Sequence, residues 1–253
     1  MAILIDPPRF EAHGRRWSHL VSDASLEELH AFARRCGIPA RGFEGDHYDV
    51  PEDRYGEVVA AGARPTPPRD LLRALVASGL RMQKRRGDKG VARVRDVRLP
   101  DGIVVDVDLI ASPQAADPAR VFAALVLVRD AAGDLAVVRS VWRDEWGAPG
   151  GGREEGETVR GTAVREVHEE TGLLLDDRGL RPVGYERFRG VAGGGPWREG
   201  RDLLQLFAAD LAATRPPLTS EHDDTSDRRW VTRRELERLC GTTFWWPLVD
   251  RLL

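Results

Sequence analysis

Residues 165–172 read REVHEETG, which places Glu166, Glu169 and Glu170 within five positions. Spacings of three and four put all three on one face of a helix. Val159, Ala163, Val164 and Val167 form the opposite, apolar face, which suits packing on a sheet. Gly172 suits the end of that helix, where carboxylates meet the negative end of the macrodipole. Crowded like charges raise one another's pKa unless a cation neutralises them. Hard oxygen donors favour Mg²⁺ or Mn²⁺. The segment asks for a helix laid on a sheet, with its acidic face either merely solvated or turned to a cation.

Upstream lies WGAPGGGREEGE (146–157), a glycine-rich loop whose backbone is able to approach a ligand closely. Beside a carboxylate wall it suggests a polyphosphate substrate, with a metal bridging its oxygens and activating water. The spacing runs Gly151, five residues, Glu157, seven residues, then Arg165-Glu166-Val167-His168-Glu169-Glu170-Thr171-Gly172-Leu173. This run resembles a Nudix box with every defining position filled.

The resemblance implies an α/β fold, the Nudix α/β/α sandwich around a mixed sheet, over about residues 91–253. It implies hydrolysis of a nucleoside diphosphate linked to another moiety. By position, Glu166, Glu169, Glu170 and the Gly151 carbonyl would ligate Mg²⁺ (or Mn²⁺), with Glu169 and Glu170 serving catalysis. Arg165 would be structural, paired with Glu157. Family members often add a carboxylate from outside the box. In SEHDDTSDRRW (220–230) the candidates are Glu221, favoured here, then Asp223 and Asp224, against the reading of an acidic solvated turn. Arg187, Arg189, Trp197 and Arg198 lie in the loop region where the family often contacts base or sugar. They would bind substrate or simply sit on the surface. Nucleotide sugars, ADP-ribose-like compounds and nucleoside triphosphates all stay open as substrates. A Nudix-fold nucleotide sensor without turnover is the alternative.

About residues 1–83 read as a small α/β accessory domain, joined by a polar linker at 84–90 to a second domain at 91–253. Ser25 and Glu28 form a capping-box signature, with Leu26, Leu29, Ala33 and Cys36 on one helical face after it. A second helix is expected from Glu52, and a third with Pro67 at its first position. RRWSHLVSD (15–23) and FEGDHYDVP (43–51) offer His19, Asp23, Asp46, His47 and Asp49. These residues suit a mixed histidine–carboxylate metal site, an acid/base pair, or buried hydrogen-bonding anchors. The stretch resembles a bacterial domain family of unknown function, which implies a separable unit and no chemistry. A second active site here would make the protein bifunctional.

The net charge of −3 argues against a nucleic-acid coat and a polybasic membrane anchor. The longest apolar run, VFAALVLV, is too short to span a bilayer. MAILIDPPRF lacks the pattern of a signal peptide. Cys36 and Cys240 suggest neither a disulfide framework nor a zinc pattern. The expectation is a cytoplasmic protein with a small-molecule substrate, no membrane or nucleic-acid partner, and a homodimer left open.

Overall fold

The computed structural model describes residues 1–99, 102–190, 200–220 and 225–253. They divide into two compact units. One is Met1–Arg85 with Lys89–Val91; the other is Arg86–Asp88 with Ala92–Leu253.

In the first unit, β1 (Ile3–Ile5), β2 (Phe10–Ala12), β3 (Arg15–Ser22), β4 (Tyr48–Pro51) and β5 (Arg64–Pro65) share one sheet. Its order is β2-β3-β1-β5, with β4 also paired to β3. The helices are α1 (Leu26–Arg35), α2 (Tyr55–Ala60) and α3 (Pro68–Ala77). Alternation along β4 sends Tyr48 and Val50 into a core with Leu20, Leu29 and Phe32, and leaves Asp49 on the outer face.

Local signals are modified by neighbours. Ser25 caps α1 by accepting from the Glu28 N–H at 3.1 Å. The Glu28 carboxylate accepts from Ser22 Oγ at 2.5 Å, so the reciprocal half of the capping box is given up to the strand end. A 3₁₀ turn occupies Glu52–Arg54 before α2, and Pro67 caps α3 from outside, one position earlier than expected. The chain just before and at the start of the expected linker makes contacts within the first unit. Met82 is fully buried and its N–H donates to Asp46 at 2.7 Å, while Lys84 donates to the Glu44 carbonyl.

The second unit is built on one mixed sheet. Its strands are β6 (Lys89–Arg98), β7 (Val104–Ala111), β8 (Val121–Arg129), β9 (Leu135–Ser140), β10 (Trp146–Gly147) and β11 (Gly150–Gly152). After α4 (Val159–Thr171) come β12 (Arg181–Arg189), β13 (Leu203–Asp210) and β14 (Thr225–Val231). Helices α5 (Arg233–Cys240) and α6 (Trp246–Leu252) follow. The order is β10-β9-β8-β13-β12-β7-β6, with β11 paired to β8 and β14 to β9. β13 runs parallel to β8, and β12 is antiparallel to both its neighbours. The sheet is thus mixed, and the chain has the α/β architecture expected.

Period-two alternation along β8 sets the two layers. Ala124, Val126 and Val128 pack against Ala163 and Val167 of α4. Leu125 and Leu127 point to the other face, where Leu236 of α5 and Val249 of α6 also lie. Helix α5 has a complete capping box between Thr232 and Glu235. The segment 220–230 is not wholly a loop, because Thr225–Val231 pairs with β9 despite its charges. Among the described residues, no helix is long and apolar enough to cross a membrane.

Candidate active site

The glycine segment and the acidic helix meet through two glycines. Gly150 has φ +146, and a Cβ there would overlap the Ala124 carbonyl oxygen and lie 2.7 Å from Leu125 Cα. Only glycine lets β11 lie this close to β8. A Cβ on Gly151 would fall 2.7 Å from the Glu166 carboxylate. The space between that backbone and that carboxylate is therefore kept open by the missing side chain.

Arg165 ties the loop to the helix. Its Nε donates to Glu157 Oε1 at 2.7 Å, and its Nη2 donates to the Gly152 carbonyl at 3.0 Å. Its Nη1 lies 3.0 Å from Glu166 Oε1 and 2.8 Å from Glu169 Oε2, so with Glu157 one guanidinium engages three carboxylates. The Arg165 hydrogen bond holds the Glu157 carboxyl down at about 2. Burial pushes the Glu166 carboxyl up, against the opposing charge of Arg165. Glu170 accepts from the Gly150 N–H at 2.8 Å.

Part of this arrangement borders a cavity of about 750 Å³. Gly150, Gly151, Gly152, Glu166 and Glu170 are among the residues that line it. The rest includes Trp142, Trp146, Phe188, Phe244 and Trp245. Arg229 stacks on Trp146, its guanidinium carbon 4.0 Å from the ring centroid, which fixes that wall. Trp142 is 78% exposed.

Sequence reasoning missed two acids on this cavity, Glu145 and Glu186. Glu186 of β12 is buried in it, and burial pushes its carboxyl up to about 8. The signal was the alternation of YERFR, which puts Glu186 on the same face as Phe188. The same alternation turns Arg187 and Arg189 away from that face, and neither lines the cavity. Arg187 Nη2 donates to Asp108 at 2.7 Å, and Arg189 lies 3.6 Å from the same carboxylate. Asp108 is fully buried and also takes the Arg93 Nε at 2.6 Å. Trp197, Arg198 and Glu221, with Asp223 and Asp224, lie outside the described residues.

In the first unit, His19 and His47 come together, with ring centroids 5.1 Å apart. Asp23 is elsewhere: it accepts from the Ala2 N–H at 2.7 Å. Asp46 is fully buried behind His47 and accepts from its Nδ1 at 2.6 Å.

Residues 3–78 match the family described as "Protein of unknown function (DUF4031)", and residues 119–252 match the NUDIX domain. An RNA pyrophosphohydrolase of Erythrobacter litoralis is 36% identical over 109 residues, 37% of this chain and 63% of that protein. The Nucleoside triphosphatase NudI of an Enterobacter species is 32% identical over 108 residues, 42% of this chain and 74% of that protein. Among solved structures, the Bacillus subtilis pyrophosphohydrolase BsRppH aligns with a TM-score of 0.41 and 20% identity, covering 58% of this chain and 82% of that one. The match to the NUDIX domain spans more than half of the sequence, and the chain belongs to the Nudix family.

Proposed function

We propose that the second unit is a divalent-metal-dependent pyrophosphohydrolase acting on nucleoside diphosphate derivatives or nucleoside triphosphates. One observation carries the reading: the glycine segment, Glu166 and Glu170 border the same aromatic-walled cavity. The residues fit a hard cation. All the donors are oxygens, and the opening left by the missing Gly151 Cβ faces the Glu166 carboxylate. Glu166, Glu169, Glu170 and the Gly151 carbonyl would hold Mg²⁺ or Mn²⁺. When bound, the cation supplies charge neutralisation of the diphosphate and acidification of water.

The chain's own residues do the rest. Arg165 fixes Glu166 and Glu169, so the acidic face is ordered before substrate arrives. Glu170, positioned by the Gly150 amide, takes the proton of the attacking water. The water oxygen bonds to phosphorus, the anhydride P–O bond breaks, and the leaving phosphate carries its electron pair away. Trp142, Trp146 and Trp245 offer ring faces for a base, the role first expected of Arg187 and Arg189.

The test is a substrate panel with Mg²⁺ or Mn²⁺: nucleotide sugars, ADP-ribose, nucleoside triphosphates and a 5′-triphosphorylated oligonucleotide, with product identification. The last two are included because the two relatives are named for such substrates. Turnover of at least one compound is expected, with a loss of roughly 10²–10⁴-fold in Glu170→Gln. Undiminished turnover in that variant would refute the assignment. Tight binding without turnover would favour a sensor.

A further inference from the structure

The first unit holds a constellation that hydrolysis in the second does not use. Among the described residues, one group of three His, Cys, Asp or Glu side chains has its ligand atoms all within 4.8 Å of one another: His19, His47 and Asp49. Strand pairing assembles it. His19 of β3 lies directly opposite Asp49 of β4 in the antiparallel register. His47, two positions before Asp49, falls on the same outer face, while Tyr48 between them points into the core.

Both imidazoles are oriented from behind. Asp6 accepts from the His19 backbone N–H at 2.5 Å and lies 2.9 Å from its Nδ1. Asp46 lies 2.6 Å from His47 Nδ1. With each Nδ1 held by its own carboxylate, each Nε2 is the nitrogen turned to the cluster. His47 Nε2 lies 3.4 Å from Asp49 Oδ1. A carboxylate on the far nitrogen fixes a histidine's tautomer and raises its basicity as a ligand.

Asp46 is itself committed elsewhere. It accepts from the Met82 N–H at 2.7 Å and from Arg81 Nη1 at 3.1 Å, with Lys84 Nζ 3.9 Å away. It supports the cluster rather than joining it. A fully buried carboxylate is an inefficient way to gain stability, since an apolar side chain of similar size often does as well. It is an effective way to hold an imidazole in one orientation.

We propose that His19, His47 and Asp49 form a second metal site, for a divalent first-row transition cation such as Zn²⁺ or Mn²⁺. Two imidazole nitrogens and one carboxylate suit such ions better than Mg²⁺. Three protein donors leave at least one coordination position for water or an oxyanion, as in catalytic rather than closed structural sites. The side chains of His19 and Asp49 are about one-third exposed, at 34% and 33%, so that position opens to solvent. Asp6 and Asp46 are positioning residues. The site stands whether or not the second unit hydrolyses nucleotides.

The test uses the full chain carrying Glu169→Gln and Glu170→Gln, which removes two proposed ligands from the Nudix site. Zn²⁺ and Mn²⁺ are titrated by calorimetry, and bound metal is counted by mass spectrometry after gel filtration. One equivalent of Zn²⁺ per chain is expected, and Co²⁺ loading should give visible absorption bands. Adding His19→Gln or Asp49→Asn, both about one-third exposed, should abolish stoichiometric binding while circular dichroism and Tm stay close to the parent. Asp6→Asn should weaken affinity roughly 10–100-fold without removing a ligand. Zn²⁺ binding that is absent from the parent, or that survives unchanged in folded His19→Gln and Asp49→Asn, overturns the proposal. In that event the histidines are hydrogen-bonding anchors of the sheet.

Discussion

Gly150 donates its backbone N–H to the Glu170 carboxylate at 2.8 Å, across twenty residues of sequence. With the Arg165 contact to the Gly152 carbonyl, it ties β11 to the acidic face of α4 at two points. The position of the glutamates is thus set by the backbone of the glycine segment as much as by the helix that carries them.

That dependence separates two neighbouring glycines. Gly150→Ala should destabilise the second unit by about 2–5 kcal/mol, because its Cβ meets backbone atoms of β8 and φ +146 is closed to alanine. Gly152→Ala meets nothing within 4 Å and should change stability by less than about 1 kcal/mol. Urea denaturation of the two variants is the measurement. Equal effects would mean that the β11–β8 approach does not control the fold here.

The Arg165–Glu157 clamp should appear as acid sensitivity. Glu157 has a folded pKa of about 2, against an ordinary value of 4.5. Its contribution is present in full above 4.5 and is lost as pH falls from 4.5 towards 2. Linkage puts an upper bound of about 3 kcal/mol on it, shared with Arg165. Glu157→Gln should lower stability at pH 7 and flatten the decline between pH 4.5 and 2. Denaturation curves at pH 7, 4 and 2.5 check this, and a constant difference across them would remove Glu157 from the account.

The acidic helix was legible because its information is local. Spacing, an apolar face and a terminal glycine all sit within Thr158–Gly172, the N-cap and C-cap of α4. The strands that escaped notice are short or charged. β14, TSDRRWV, is held by pairing with β9 rather than by its own composition, and KGVARVRDVR of β6 carried too many arginines to look like a strand. The partner of Arg187 lies 79 residues away at Asp108, so the sequence showed a cation without its counter-charge. The stretches RRWSHLVSD and FEGDHYDVP offered His19, Asp23, Asp46, His47 and Asp49 together. The extended backbone of β3 instead pairs His19 with Asp49 and sends Asp23 to the Ala2 amide.

Arg187 should behave as a structural residue. Burial pushes the Asp108 carboxyl up, but hydrogen bonds and charge from Arg93 and Arg187 outweigh this and leave it below the ordinary value. Removing one cation from a buried network costs roughly 3–5 kcal/mol. Arg187→Ala should therefore lose stability of that order, with KM for the best substrate unchanged in the fraction that stays folded. A raised KM with unaltered Tm would return Arg187 to the substrate.

Glu186 should produce the opposite pH signature from Glu157. Burial raises its folded pKa to about 8, so the folded state keeps a proton that the unfolded chain releases above about 4.5. Where the folded state binds more protons, stability falls as pH rises. The penalty is absent below pH 4.5, grows up to about pH 8 and then levels off. Glu186→Gln fits the same space without ionising. The variant should match the parent near pH 4 and exceed it by on the order of a few kcal/mol at pH 8. The comparison is a pair of urea titrations at each pH. Parallel curves would mean that Glu186 ionises normally in the cavity. A neutral carboxyl on a wall shared with Phe188, Leu204 and Leu206 then gives the cavity a hydrogen-bond donor at neutral pH, so KM for a substrate that contacts it should rise above pH 8 in the parent and stay flat in Glu186→Gln.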